Sequence, residues 1–321
     1  MHHIIQTGHN PSMQLVRLRR ESLSDEEYVW HHNIGNGQSE VFDKFISEEL
    51  DAGDTFSSEL ELKKWLETHE CVICGSDQIW NNNITGNGGA YFAVDCNVKK
   101  ISYAASLGTT QLNETQKSNI INYLPSFSSI SVREPGSAEQ LTKILHREIQ
   151  VVLDPVFLLD RDEWRKLSRP VSVDSNYLFL YFLQENEKLL ECAKKYAEEN
   201  GLKIYEVHPT LATRHNGCKR LENVGPKEFI WLIENASCVC TNSFHATAFS
   251  TIFRKKLIHI PNSKSPERTT SLLERVGIEL KTDKEFPFYD ISLCDDTNLN
   301  FEIEKSKKFL DAVMESEQYG N

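Results

Sequence analysis

Short apolar runs and amphipathic stretches alternate along most of the chain. In the first half, apolar runs of strand length are separated by residues whose apolar positions recur at helical spacing. Two further helical stripes stand upstream at 41–50 and 62–66, the second capped by Ser57 or Ser58. The predicted strands of this half are residues 71–74, 101–106, 129–132 and 149–153. Strands that alternate with helices are typical of a parallel sheet.

The second half repeats this alternation. A helical stripe at 189–197 stops at Gly201, a second helix begins at Pro226, and a terminal helix covers 301–314. The predicted strands are residues 177–183, 202–207, 237–240 and 257–260. The pattern therefore predicts an α/β protein with two Rossmann-like, doubly wound domains. We place them at 1–165 and 166–321, with the terminal helix in the second domain and the boundary in the charged segment 160–174.

The first 36 residues are weakly patterned, and only 15–20 suggest a strand. The sequence thus predicts a first domain whose opening βα unit is shortened. In a doubly wound domain the first strand lies near the sheet centre, so its loss would expose a strand edge. We therefore expect the chain to self-associate, to keep its donor affinity and to show weak acceptor binding and turnover.

Charge and hydropathy exclude several functions. The 321 residues carry a formal net charge of −12 and have a pI of about 5.4, so the chain as a whole repels nucleic acid and anionic membranes. An anionic substrate would need a local binding site. The longest apolar run, 177–183, is too short to span a bilayer, and the first residues lack a signal-peptide core. These features favour a cytoplasmic protein without a transmembrane segment.

Eight cysteines raise the question of metal or disulfide chemistry. Cys71 and Cys74 form a C-x-x-C motif, but residues three apart in a strand point to opposite faces and cannot chelate one ion. Cys238 and Cys240 share a face, yet no partner at zinc spacing stands nearby. We expect eight reduced thiols, mostly in the core, with no metal and no cofactor.

A Thr/Asn/Ser cluster stands between a predicted strand and a predicted helix at 241–247. Asn242 and Ser243 occupy the position of a helix cap, and the helix start favours an anion. His245 falls in the first turn, at the carboxyl end of the strand where open α/β sheets bind ligands, so it is the best candidate for a general acid and base. The alternative is that His245 only caps or packs.

A second polar motif, residues 75–81, follows the strand at 71–74. Asp77 could orient a hydroxyl group, or it could only cap the turn. Trp80 could stack on a sugar ring, or it could belong to the core. With Ser76, Gln78 and Asn81, these side chains form the predicted acceptor-binding set.

Arg133 ends another strand of the first domain. There it could hold a carboxylate or phosphate through two parallel hydrogen bonds, or it could form a surface ion pair with Glu134. His208 and Asp154 also stand at strand ends and are read as structural residues. A cleft between the two domains would bring both sets of strand ends together.

Several motifs in register resemble the polysaccharide pyruvyl transferase family over residues 38–277. They are CGSDQIWN (74–81), KKISYAAS (99–106), SVRE (131–134), LDP (153–155), EFI and NA (228–230 and 235–236) and TNSFH (241–245). The resemblance implies a GT-B-like pair of domains and phosphoenolpyruvate as donor. It also implies transfer of a pyruvyl group, typically as a ketal, to a sugar of a bacterial surface polysaccharide, such as an exopolysaccharide, or its lipid-linked precursor.

The chain departs from the family at its weakly patterned start and at two positions near His245. Ser243 stands where some members carry arginine, and Ala246 where glycine is frequent. With His245 as acid and base and Asp77 orienting the acceptor, the donor anion would depend on the turn at Asn242 and Ser243. The side chains of Arg133 and Arg268 would assist.

Two other functions stay open. A nucleotide-sugar glycosyltransferase uses the same GT-B architecture, and fold does not fix function. A non-catalytic assembly or binding subunit would agree with the shortened start.

Overall fold

The computed structural model of the chain describes residues 3–7, 14–18, 36–86, 88–208, 214–262, 265–281 and 285–315. Contacts divide the chain into two compact units. The first comprises the described residues within Met1–Glu21, Ile46–Leu158 and Asn300–Asn321, and the second those within Ser22–Phe45 and Leu159–Leu299.

Strands and helices alternate through both units. The strands are β1 (His3–Thr7), β2 (Gln14–Leu18), β3 (Asp51–Phe56), β4 (Cys71–Gly75), β5 (Lys99–Ala105), β6 (Ser129–Val132), β7 (Gln150–Val151), β8 (Tyr177–Tyr181), β9 (Lys203–Val207), β10 (Cys218–Arg220), β11 (Cys238–Thr241), β12 (Lys256–His259) and β13 (Phe288–Asp290). The helices are α1 (Asn36–Glu49), α2 (Glu59–Leu66), α3 (Asn82–Thr85), α4 (Glu114–Tyr123), α5 (Pro135–Leu145), α6 (Arg161–Leu167), α7 (Glu187–Asn200), α8 (Pro226–Asn235), α9 (Phe244–Ile252), α10 (Glu267–Arg275) and α11 (Thr297–Glu315).

The sheet of the first unit has the strand order β3-β2-β1-β4-β5-β6-β7. Its neighbours are parallel except at β1, which runs antiparallel to both β2 and β4. Strand β4 is hydrogen-bonded on both sides, with Ile4 opposite Gly75 and Ile73 opposite Ile101. The expectation of an exposed edge beside β4 is therefore wrong, because the weakly patterned N-terminal segment supplies β1. The argument for self-association loses its basis.

The sheet of the second unit has the order β10-β9-β8-β11-β12-β13, and only β13 is antiparallel to its neighbour. Its strands thus follow the 3-2-1-4-5-6 order of a dinucleotide-binding fold, in which the order reverses between the first and fourth strands. That switch point lies between β8 and β11. The fold is α/β with two Rossmann-like units, as predicted.

Apolar faces and caps explain the helices. Leu189, Ala193 and Ala197 form the buried face of α7 against β8, and Asn186 caps its first turn. Asn113 with Gln116 and Asp160 with Glu163 form capping boxes that start α4 and α6. Ser58 caps α2, as the sequence predicted. In the described part of the chain, no helix is long and apolar enough to cross a membrane.

The terminal helix α11 belongs with the first unit from Asn300 onward, whereas the sequence analysis assigned it to the second domain. Ser306 Oγ accepts a hydrogen bond from Leu153 N at 2.8 Å, and Val313 O accepts one from Lys99 Nζ at 2.9 Å. Buried Val313 joins a cluster with Ile101 and Tyr103. The apolar stripe of α11 thus covers the first sheet, a contact that periodicity alone does not reveal.

Candidate functional site

The junction of β11 and α9 lies at the switch point of the second sheet. Ser243 is the N-cap of α9, and its Oγ accepts a hydrogen bond from Ala246 N at 3.3 Å. Ser243 N donates to Thr241 Oγ1 at 3.0 Å. These local bonds fix the turn that the sequence predicted and direct the first turn of α9 outward from the carboxyl edge.

Asn242 connects the two strands that flank the switch point. Its Oδ1 accepts from Leu183 N at 2.8 Å, and its Nδ2 donates to Gln184 O at 2.6 Å. The side chain is buried. Both ends of the amide are therefore engaged with the loop after β8. The side chain of Asn242 thus holds that loop beside the start of α9, and the predicted contribution of the turn to donor binding stays a prediction.

His245 and Arg268 both contact Phe244 at this junction. His245 is half-buried in the first turn of α9, and its ring lies edge-on to Phe244 with the centroids 5.4 Å apart. The guanidinium of Arg268 lies over the ring of the same Phe244, 5.6 Å from its centroid. A half-buried imidazole in the first turn of a helix and a cation thus share one aromatic neighbour, and a helix start favours an anion.

His259, at the end of β12, is hydrogen-bonded to the end of β11 beside this junction. Its Nδ1 donates to Thr241 O at 2.9 Å, and its Nε2 accepts from Thr269 Oγ1 at 2.7 Å, since a carbonyl oxygen can only accept. Burial, opposed in part by the bond to Thr241, lowers the pKa of His259 from 6.5 to about 4. A neutral imidazole thus ties β11 to α10. The sequence analysis missed it, because an isolated histidine in an apolar strand gives no signal of its partners.

The polar motif of the first unit follows β4. Gly75 allows a close approach, since a Cβ there would lie 1.9 Å from Tyr103 O. Asp77 has a positive φ of 60° and a side chain that is 24 % exposed. Ser76 Oγ donates to Asp154 Oδ2 at 3.4 Å. The turn thus presents Asp77 at the carboxyl edge of the first sheet.

Arg133 is buried among three carboxylates and is only 3 % exposed. Its Nη1 donates to Asp154 Oδ2 at 2.7 Å, its Nε to Glu134 Oε1 at 3.0 Å, and its Nη2 to Asp77 Oδ1 at 3.2 Å. Burial opposes the charge of the guanidinium, but Glu134, Asp154 and Asp77 outweigh it and raise the pKa of Arg133. Neither expectation holds in its stated form. The pair with Glu134 exists but is buried, and the nitrogens that would grip a donor are engaged with carboxylates.

The remaining acceptor-binding predictions fare differently. Trp80 is 2 % exposed, stacks on Phe92 with the centroids 5.7 Å apart and donates from Nε1 to Tyr91 O. It belongs to the core, so the expectation that its ring stacks on a sugar is wrong. Gln78 Oε1 accepts from Asn81 Nδ2 at 2.9 Å, and Asn81 caps α3. These two amides shape the turn.

The comparison with known families decides the identity of the chain. The family model for polysaccharide pyruvyl transferase matches residues 41–264, most of the chain and both polar motifs. The chain belongs to the polysaccharide pyruvyl transferase family. Among curated proteins, none matches the chain significantly.

Solved structures similar to this pyruvyl transferase family member are UDP-GlcNAc 2-epimerases. The enzyme from Neisseria meningitidis bound to UDP-GlcNAc has 13 % identity and a TM-score of 0.51, over 87 % of this chain and 90 % of that chain. A putative enzyme from Listeria monocytogenes has 11 % identity and a TM-score of 0.51, over 85 % of this chain and 77 % of that chain. At such identities the likeness shows the fold alone, which is GT-B-like.

None of the eight cysteines of this family member, all of them within the described residues, forms a disulfide, and Cys218 and Cys294 are half-buried while the other six are buried. Burial raises the pKa of Cys74 to about 12. Such thiols behave as small core residues, as the sequence predicted. Within the residues that the structure describes, no three His, Cys, Asp or Glu side chains are arranged to hold a metal ion.

Proposed function

We propose that the protein transfers a pyruvyl group from phosphoenolpyruvate to hydroxyl groups of a sugar, forming a ketal. The acceptor would be a bacterial surface polysaccharide, such as an exopolysaccharide, or its precursor. The observation that carries the proposal is His245 in the first turn of α9, with Arg268 packed on the neighbouring Phe244. The membership of the pyruvyl transferase family supports it.

The donor chemistry follows from this junction. Phosphoenolpyruvate carries a phosphate and a carboxylate, and a helix start with an adjacent guanidinium stabilises such anions. Addition of a hydroxyl to C2 requires a proton at C3 and stabilisation of a cationic carbon. In the proposed mechanism His245 moves that proton, while Ser243 fixes the turn. Arg268 and the first turn of α9 hold the anion.

The polar cluster of the first unit suits the acceptor. One guanidinium, that of Arg133, faces three carboxylates, so the formal charge of the cluster is negative. Such a cluster repels an anionic donor but accepts hydrogen bonds from hydroxyl groups. We propose that Asp77, the exposed member, orients the acceptor hydroxyl. Arg133 would be a positioning residue, holding Asp77 in a conformation with positive φ.

The substitution His245→Gln tests the proposal. Loss of general acid–base catalysis typically costs about 10²–10⁴-fold in rate. We expect that loss in phosphate release from phosphoenolpyruvate with a sugar acceptor, while circular dichroism stays unchanged. His146→Gln, at an exposed position in the first unit, is the matched control and should keep the wild-type rate. A folded His245→Gln protein with the wild-type rate would refute the assignment.

Two outcomes would favour the other functions. Transfer from a nucleoside diphosphate sugar, with retention of the nucleotide, would indicate a glycosyltransferase. Glycan binding without phosphate release or glycosyl transfer would indicate an assembly subunit.

A further inference from the structure

Four titratable side chains form a cluster in the second unit, beside the β11–α9 junction. Glu185 follows β8, Glu206 lies in β9, His208 follows β9, and His215 precedes β10. Glu206 and His208 are buried, and Glu185 is 48 % exposed at its side chain. We call these residues the Glu–His chain. None of them serves in the proposed donor or acceptor contacts.

The side chains of the Glu–His chain contact one another in sequence. Glu206 Oε2 lies 2.7 Å from His215 Nδ1, and His215 Nε2 lies 3.2 Å from Glu185 Oε1. Glu185 Oε2 lies 2.9 Å from His208 Nε2. The ring of Phe182 packs against both imidazoles, with centroid distances of 5.4 Å. The Glu–His chain thus runs from buried Glu206 through His215 and half-exposed Glu185 to buried His208.

Counting hydrogens shows what this arrangement holds. Each nitrogen–oxygen contact needs one hydrogen, and a carboxylate supplies none. Two neutral imidazoles carry one N–H each, so three hydrogen bonds need one more proton in the cluster. Whichever group carries it, that proton lies within a continuous line of acids and bases. The most exposed member of the line is Glu185.

The Glu–His chain and the proposed catalytic histidine are connected through the loop after β8. Gln184 O, one residue before Glu185, accepts the hydrogen bond from Asn242 Nδ2. Asn242 in turn precedes the cap of α9, which carries His245. Strands β8 and β11 are direct neighbours at the switch point. Glu185, the most exposed member of the Glu–His chain, and His245 therefore follow adjacent strands of the same sheet.

The proton balance of ketal formation calls for two acid–base groups. First, a hydroxyl oxygen bonds to C2 of phosphoenolpyruvate and gives its proton to a base, while C3 takes a proton from an acid. Then the bond from C2 to the phosphate oxygen breaks, and the phosphate leaves with a proton. A second hydroxyl oxygen bonds to C2, and its proton passes to a base. Each half of the reaction, the first addition and the replacement of phosphate by the second hydroxyl, thus uses one acid and one base.

We propose that Glu185 is the second acid–base residue, which takes the protons of the acceptor hydroxyls, and that His215, Glu206 and His208 store and position the shared proton. This inference rests on the proposed function. His245 then gives one proton to C3 and, later, one to the leaving phosphate; between these steps water returns a proton to His245 and takes the proton from Glu185. The acceptor class is a sugar with two hydroxyl groups close enough to close one ketal ring.

Other titratable groups lie beside the Glu–His chain. Arg220 Nη2 donates to His208 O at 3.1 Å, and burial lowers the pKa of Arg220. Burial, aided by the charge of Glu206, raises the pKa of Cys218 to about 11, so this thiol stays protonated. The Oε1 atom of Glu206 has no hydrogen-bond partner among the described residues.

Two measurements on the full-length chain test the proposal. The first is nuclear magnetic resonance of nitrogen-15-labelled histidine, which needs no substrate. We expect protected imidazole N–H signals from both His208 and His215. Glu185→Gln should shift both, and Glu206→Gln should shift that of His215. If the His215 signals respond to neither substitution, the contacts of the Glu–His chain do not exist in solution and the proposal is wrong.

The second measurement is phosphate release from phosphoenolpyruvate with methyl β-galactopyranoside as acceptor probe. Glu185→Gln should lower the rate about 10²-fold or more without changing the melting shift caused by phosphoenolpyruvate. Glu206→Gln should alter the pH–rate profile. Glu187→Gln, an equal charge change at an exposed site two residues away, should keep the wild-type rate. A Glu185→Gln rate within about threefold of wild type would overturn the assignment.

These arms separate the two hypotheses. If wild type releases phosphate and Glu185→Gln does so equally well, the proposed function stands and the assignment of Glu185 as an acid–base residue is wrong. If phosphoenolpyruvate neither binds nor reacts, the proposed function is wrong. The nuclear magnetic resonance measurement then decides whether the contacts of the Glu–His chain exist.

Discussion

Acidification should weaken the second unit through one side chain, His259. The imidazole is buried between Thr241 O and Thr269 Oγ1 and stays neutral, because burial lowers its pKa to about 4 from 6.5. In the unfolded chain the same group takes up a proton near pH 6.5. Unfolding therefore binds a proton between these two values, and the free energy of unfolding falls as the pH drops from about 6.5 to about 4.

The size of the effect follows from the shift in pKa. One unit corresponds to about 1.4 kcal/mol, so the loss should reach about 2 kcal/mol at pH 5 and about 3 kcal/mol at pH 4. Above pH 6.5 the contribution of His259 should be constant. Such a loss is a large fraction of the stability of a typical domain.

Comparison with His259→Asn isolates this group. The asparagine amide can still donate to Thr241 O but does not titrate. Samples would be equilibrated in urea at several pH values. A short labelling pulse, always given at the same pH, would then mark the unfolded molecules. Mass spectrometry of peptides from β11, α9 and β12 would report the unfolded fraction of this region. We expect the stability difference between wild type and variant to shrink as the pH falls. A difference that stays constant from pH 7 to pH 4 would refute the reasoning.

Two further substitutions test the first unit. Arg133→Leu leaves the buried carboxylates of Glu134 and Asp154 and the partly exposed Asp77 without a counter-charge and should cost about 3–5 kcal/mol in chemical denaturation, whereas Arg165→Leu removes exposed ion pairs and should cost less than about 1 kcal/mol. Equal costs would contradict the buried cluster. Gly108→Ala places a Cβ 2.1 Å from Gln78 Oε1 and should lower the melting temperature more than Gly201→Ala, which has a similar φ but no atom within 4 Å. A larger fall in melting temperature for Gly201→Ala would show that the close contact with Gln78 is not what excludes a side chain at position 108.

Most of the fold could be predicted from the sequence where apolar runs are unbroken. The runs 71–74, 129–132 and 237–240 became β4, β6 and β11 almost to the residue. Strands β1, β3, β10 and β13 were missed. Asp51–Phe56 contains glycine and two aspartates, and Cys218–Arg220 is short and polar, so their strand conformation comes from pairing with β2 and β9.

The candidate site was predictable only in part. Local chemistry was sufficient for Ser243 and His245, because a cap and the first helical turn are set by neighbouring residues. The partners of Arg133 are far apart in sequence, at Asp77 and Asp154, and no local pattern reveals them. Glu206 did give a signal, a charged residue within an apolar strand, which we read only as part of that strand.

Thermal melting in the presence of phosphoenolpyruvate tests the central claim most directly, since it needs no knowledge of the acceptor. A ligand that binds only the folded state stabilises it by about 2.7 kcal/mol at one hundred times its Kd. We predict that phosphoenolpyruvate raises the melting temperature of wild type and that UDP-GlcNAc does not. A rise with UDP-GlcNAc and none with phosphoenolpyruvate would contradict the account.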